Sequence, residues 1–488
     1  MTDLKKIFCC GLILFSSLFS HAQKSKTTNI TLSGTSILPA DSTRKVCVNS
    51  LLVIGTKRTK IYIVYREIQF KKGDSIIISQ LQKELEQARN QVNNTTLFNE
   101  VKFDMIVLDT YNINITVTVT ERWYLYPLPQ FQLVDRNFNV WWKTYKRSFD
   151  RVNYGIKFTQ YNLSGRRDQL NIYLINGYSR NISFSYSNPY SNSSLNRGFS
   201  VSAGYTQNRE IAYKTSDSNT VEFYPSDEVR KQTNDFVRNG WYVNASYLIR
   251  NGFFTRQNFS AGYTFLKVDD TVLIKNHNYF KDSVTSKGYI DLAYTYQYTN
   301  VDNTSYSLKG TSVYISVLKR GLGFTGGLNM FSIEAGLNKY YSLGKNWYSN
   351  FQLSGRIKLP FDQAYINQRG LGYGDSYLRG LEYNVVDGVA YGLLRSTLKK
   401  KLISFTIPFP YFPKILTKIP FTFFAKTFTD LGYVYNKPKY DTYLNNRLLY
   451  TGGFGIDILT VYDVNLRFEY SFNQLNKSGL FFHTQSGF

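Results

Sequence analysis

No stretch of this sequence is long and apolar enough to cross a bilayer as a helix. The longest apolar run, residues 7–19, holds thirteen residues, short of the ~20 that a ~30 Å hydrocarbon core requires. A mean hydropathy of −0.30 likewise excludes a bundle of membrane helices. Cysteine and histidine are nearly missing, at 3 each. Cys9 and Cys10 fall inside the apolar run, which leaves Cys47 without an intrachain disulfide partner. His277 and His483 with that one thiol make no recognisable zinc site and none of the usual catalytic constellations; both are expected on the surface or in a lumen. There is no Gly-x-Ser-x-Gly elbow and no Gly-x-x-x-x-Gly-Lys loop, so lipase and nucleotide-hydrolase chemistry has no residues to use. The expectation is a non-enzyme with no catalytic residue, cofactor or metal.

Acidic residues are also scarce. Lys and Arg total 58 against 34 Asp and Glu, a net charge of +24. The basic residues are scattered through polar and aromatic stretches instead of forming a tract, so nucleic acid is not the expected partner and anionic lipid is. Lys399, Lys400 and Lys401 form the one compact basic run, expected at a solvated turn or against lipid headgroups.

What the sequence has in abundance is aromatic surface, 17% of the chain, with Tyr 41 and Phe 36. Many aromatics at low mean hydropathy suit strands with one lipid face and one wet face. Lys5 and Lys6, the apolar run and Ser20-His21-Ala22 read as an export signal, 1–22, cleaved after Ala22. Residues 23–46 read as a tether that contributes at most an edge strand.

Residues 47–122 read as a small α+β domain. Ile61, Ile63 and Tyr65 alternate with Tyr62 and Val64, predicting a strand that Lys72-Gly73-Asp74 ends. Ser79 is placed as the N-cap of a helix whose stripe is Leu81, Leu85, Ala88 and Val92. Two strands follow, 101–108 and 112–121. Residues 123–151 are read as a connector. From 152 to 488 period-two segments succeed one another, among them Phe199, Val201, Ala203 and Tyr205, then Ile290, Leu292, Tyr294 and Tyr296, then Leu466, Phe468, Tyr470 and Phe472. At ~9–11 residues per spanning strand this length supplies about sixteen, and an open sheet of that size would leave exposed edges. The fold class expected is mainly β: a transmembrane antiparallel β-barrel of about sixteen strands after one α+β domain.

The 47–122 segment resembles a POTRA domain, notably at Arg66-Glu67-Ile68 and Thr96-Leu97-Phe98-Asn99-Glu100-Val101. Gly370-Leu371-Gly372-Tyr373-Gly374 ahead of Leu378-Arg379-Gly380-Leu381 is similar to the Arg-Gly motif on the inward-folded sixth loop of the BamA-type superfamily, with Leu381 in place of the usual aromatic residue. Phe428-Thr429-Asp430-Leu431-Gly432 is similar to the Phe-x-Asp-x-Gly motif of a barrel strand that this loop approaches. The resemblance implies an Arg379–Asp430 pair with Gly380 and Gly432 nearby. It also implies a first barrel hairpin around Asn162 and Gly165, a closing strand containing Phe482, a weakly paired seam between them, and Phe488 as terminal insertion signal. It further implies an outer-membrane location in a diderm bacterium, with the POTRA domain in the periplasm. Function would be assembly, insertion or translocation of outer-membrane proteins, with client strands received at the POTRA domain and the seam. The alternative is a secretion or solute pore gated by the sixth loop. Partners implied are outer-membrane lipids, unfolded or exported client proteins, and accessory periplasmic or lipoprotein subunits.

Overall fold

The computed structural model describes residues 30–33, 42–133, 146–226, 235–323, 327–408, 418–437, 442–460 and 464–485. The expected export signal and the terminal Phe488 lie outside these residues.

The N-terminal unit runs β1 (Ile30–Ser33), β2 (Lys45–Ile54), α1 (Ile61–Tyr65), β3 (Ser75–Ile77), α2 (Ile78–Asn93), β4 (Phe98–Val107) and β5 (Asn112–Glu121). Its sheet order is β1-β4-β5-β2-β3. The expected stripe Leu81, Leu85, Ala88 and Val92 packs on Ile113, Ile115, Val117 and Val119, all buried. Two local expectations fail. Residues 61–65 are helical because Ile63 and Val64 are buried side by side and Glu67 and Ile68 follow one turn later, a helical spacing that five apolar residues in a row conceal. The helix α2 starts one residue before Ser79, with Ile77 as an N-cap that makes no side-chain bond; the Ser79 N–H bonds the Ser42 carbonyl instead.

The second sheet has sixteen strands. It begins with β6 (Leu125–Leu133), β7 (Val152–Tyr161), β8 (Gln169–Gly177), β9 (Ser179–Asn188) and β10 (Arg197–Asn208). A loop hairpin, β11 (Ile211–Thr215) and β12 (Val221–Tyr224), intervenes. The sheet continues with β13 (Arg238–Asn251), β14 (Thr255–Val268), β15 (Ser286–Val301), β16 (Gly310–Arg320), β17 (Met330–Gly344) and β18 (Trp347–Leu359), with a short helix α3 (Asp270–Lys275) in the loop after β14. Two short loop strands, β19 (Arg369–Leu371) and β20 (Val386–Asp387), precede the last five: β21 (Ala390–Pro408), β22 (Lys418–Tyr435), β23 (Leu448–Leu459), β24 (Asn465–Asn473) and β25 (Ser478–Gln485). Each pairs antiparallel with its neighbour, from β6 at one end to β25 at the other. Period-two patterning sets the faces: Val243 and Tyr247 oppose Tyr263 and Phe259 in register, and all four point outward and stay exposed, as a lipid-facing band requires.

Leu125–Leu133, expected within a connector, is therefore the first barrel strand, and Val152–Tyr161 is the second. Pro127 and Pro129 obscured it, because proline argues against a strand except at a sheet edge, which is where β6 lies.

Side-chain contacts fasten the N-terminal domain to the barrel turns at one end of the strands. Glu67 accepts bonds from both Nη atoms of Arg250 at 2.5 Å and from the Tyr190 hydroxyl at 3.0 Å, and all three residues are buried. Asn94 bonds the Val301 carbonyl and receives the Thr304 N–H, at 3.1 and 3.0 Å. Arg167 donates to the Thr95 carbonyl at 2.9 Å. At the opposite end the tip of the β11–β12 hairpin is tied in: Asn219, fully buried, bonds Val385, Leu444 and Asn445.

Candidate functional site

The loop between β18 and β21 folds into the lumen, and the strands that receive it are patterned for it. A Phe-x-Asp-x-Gly spacing on a strand puts all three residues on one face. On β22 that face is the lumen, with Phe428 and Asp430 buried. The neighbouring register, Arg395 opposite Asp430 and Thr397 opposite Phe428, places those β21 side chains on the same face.

Arg379 meets Asp430 there. Its backbone N–H and Nε reach Asp430 Oδ2 at 2.9 and 3.0 Å, and Nη2 reaches Oδ1 at 2.5 Å. Nη1 donates to Thr397 Oγ1 at 3.0 Å, Nη2 also to the Ser396 carbonyl at 3.3 Å, and the guanidinium lies 4.1 Å from the centre of the Phe428 ring. Charge-assisted, forked bonding with an aromatic face beneath is the arrangement arginine makes and lysine does not. Gly380, at φ +94°, sits against β24: a Cβ there would stand 2.7 Å from the Ser471 Cβ. Its carbonyl accepts the Asn473 amide at 2.7 Å. Gly432 leaves room for Leu378 and Leu371, which would lie 2.9 and 3.1 Å from a Cβ at that position. Leu378 and Leu381 are buried in an apolar cluster with Leu393, Val434 and Leu449.

Several groups escaped the sequence reading. Arg395 donates Nε to the Tyr377 carbonyl at 3.1 Å and Nη2 to the Asp375 carbonyl at 2.9 Å, so the wall grips the loop backbone as well. Lys399, expected at a solvated turn, is a lumen residue 3.9 Å from Asp457, with its ammonium 4.0 Å from the Tyr306 ring centre. Lys426 bonds Asp457 and lies 2.6 Å from Glu469. His483 faces the lumen, one of the two places expected for it, but its contact with Glu382 on the loop, at 3.0 Å, was not foreseen. The signal for all of them was parity with the recognised motif on adjacent strands, which requires the register. A cavity of about 1470 Å³ lies among Arg379, Lys399, Glu469 and His483.

The seam differs from the expectation. Asn162 and Gly165 do not flank it; they form the β7–β8 turn docked on the POTRA domain, where Asn162 donates to Thr59 Oγ1 at 2.8 Å and the Gly165 carbonyl accepts the Lys60 N–H at 2.9 Å. The ends of the sheet are β6 and β25, and no ladder joins them among the described residues. Phe482 on β25 is exposed, its ring centre 4.9 Å from that of Phe468. Pro127 and Pro129 have a particular orientation. The Tyr161 N–H bonds the Tyr124 carbonyl, so alternate residues from Tyr124 bond β7, and the intervening nitrogens, those of Pro127 and Pro129 among them, face the open edge. Two donors are missing from the seam side of β6.

Replacing Gly380 by valine is expected to expel the loop tip from β24, because both the positive φ and the Ser471 contact oppose a side chain. The cost is ~1–3 kcal/mol from the backbone conformation alone. Limited proteolysis would report it as new cleavage within 370–389.

The architecture defined by these observations is a sixteen-stranded antiparallel transmembrane β-barrel preceded by one small α+β domain. Residues 46–122 match the family model for POTRA, described as surface antigen variable number repeat. No match is found among curated proteins. Among solved structures the chain is similar to BamA from Haemophilus ducreyi lacking POTRA domains 1–3, at 14% identity over 90% of this chain and 84% of that one, TM-score 0.48. It is also similar to CdiB from Acinetobacter baumannii, at 12% identity over 90% and 73%, TM-score 0.45. A third is CdiB from Escherichia coli, at 10% identity over 92% and 92%, TM-score 0.45.

Proposed function

We propose that this protein inserts or translocates exported polypeptides at the outer membrane of a diderm bacterium, with its POTRA domain in the periplasm and the β6–β25 seam as the lateral route. The observation behind this reading is the seam itself, two strand ends without a ladder between them in the described residues, one stripped of two donors by Pro127 and Pro129. An unpaired edge templates an incoming strand, and weak closure lets one enter. Arg379, Asp430 and the inward loop brace the wall next to that route, and no nucleotide or covalent step is needed. A pore gated by the sixth loop is the second reading. It has less support, because the inward loop is held to the wall by Arg379 and Asp430 and the loops around it are bonded to one another at Asn219.

In a Cys47→Ser background, one cysteine within Leu125–Leu133 and one within Ser478–Gln485 are expected to form a disulfide that stops assembly of newly exported barrel proteins until it is reduced. Full activity of the locked, folded protein would remove the lateral route and direct attention to the lumen.

A further inference from the structure

Three side chains remote in sequence meet where the inward loop touches the last two strands. His483 Nε2 on β25 lies 3.0 Å from Glu382 Oε1 on the loop and 3.6 Å from Glu469 Oε2 on β24. The three ligand atoms all fall within 4.8 Å of one another. Ligand atoms on a tetrahedral ion at ~2.0–2.1 Å stand about 3.3 Å apart, so the two contacts to the imidazole bracket the required spacing. Glu469 is only 1% exposed. Neither of its carboxylate oxygens meets hydrogen-bond geometry with a protein donor: Oε1 lies 2.6 Å from the Lys426 ammonium in an ion pair, and Oε2 faces His483 Nε2 at 3.6 Å. A buried carboxylate oxygen without a donor is a costly arrangement, and a cation between the three groups would satisfy it.

We propose that Glu382, Glu469 and His483 bind a zinc-like divalent cation that fastens the inward loop to β24 and β25. Two carboxylates and a neutral imidazole match the charge of the ion. Lys426 holds the other oxygen of Glu469 and fixes that carboxylate's orientation, the supporting role that a ligand's neighbours play in metal sites. All three residues line the lumen cavity, which gives water access to the fourth coordination position. The site joins the loop carrying Arg379 to the strand that forms one side of the seam, and it stands whether or not the seam passes clients.

The test is Co²⁺ titration of the full chain in detergent, carrying Cys47→Ser and stripped with chelator, followed by visible absorption and Zn²⁺ competition. One Co²⁺ per chain with a low-symmetry visible band is expected, displaced by Zn²⁺. His483→Gln and Glu382→Gln should each weaken binding by more than the ~10–100-fold that loss of a supporting neighbour costs, and His277→Gln should leave it unchanged. Heat-dependent gel migration verifies the folded barrel; if His483→Gln does not fold, Glu382→Gln on the loop decides alone. The absence of saturable binding, or binding that neither variant weakens, would overturn the proposal, the second outcome meaning an adventitious ion only.

Discussion

Replacing Asp430 with alanine is expected to destabilise the inward loop by ~3–5 kcal/mol, the cost of leaving a buried charge without its partner. An exposed ion pair would give no more than ~1 kcal/mol, and burial is what separates the two outcomes: Asp430 is 0% and Arg379 10% exposed at the side chain. The alanine variant leaves Arg379 and its neighbour Arg395 facing each other across the vacated position. Arg379→Ala is expected to be of similar size, since it strands a carboxylate that had received two side-chain bonds. The double variant should cost less than the sum, because neither charge is then left alone. Arg379→Lys keeps the charge but not the fork or the Phe428 contact, and should recover only part of the loss. Hydrogen exchange over 370–389 measures all four. Additive effects below ~1 kcal/mol would show that the pair is incidental and the loop is held by its apolar cluster.

Glu67→Ala is expected to undock the POTRA domain from the turns between β9 and β10 and between β13 and β14, again at ~3–5 kcal/mol, because Arg250 and Tyr190 then lose their buried acceptor. Faster exchange in residues 189–196 and 251–254, with the barrel strands still protected, is the readout. The same contact predicts a pH dependence. Burial opposes the charge on Glu67, but the Arg250 guanidinium and its hydrogen bonds outweigh burial and hold the carboxyl below its ordinary value. A depressed folded-state value means that docking is fully stabilised above the ordinary glutamate range and loses this contribution as pH falls through that range to the lower folded value. Docking should therefore be insensitive from neutrality to about pH 5 and fail in stronger acid. An undocking transition between pH 6 and 8 would contradict the assignment of Glu67 as the controlling group.

The fold class could be read from the sequence because strand patterning is local. Val243 and Tyr247, or Phe428, Asp430 and Gly432, declare their faces by parity, and the stripe Leu81, Leu85, Ala88 and Val92 declares a helix. The reading failed where the local signal was degenerate. Residues 61–65 are apolar throughout and carry no period, and β6 contains two prolines that mark an interior strand as impossible but an edge strand as acceptable. That misplacement of β6 also shifted the seam by one strand and assigned Asn162 and Gly165 to it.

By itself the sequence determined the alternation, the composition and the two short motifs, and with them one small α+β domain ahead of about sixteen strands; the resemblance of the two motifs to known ones implied the partners Arg379 and Asp430. Only the tertiary structure decided which strands end the sheet, that Glu67 pairs with Arg250, that Arg395 holds the loop from behind, and that Glu382, Glu469 and His483 converge. Such contacts join residues up to 226 apart in sequence, as at Asn219 and Asn445. Their geometry depends on register and closure, which no window of neighbouring residues contains, because every side chain's parity names its face but not the strand it will oppose.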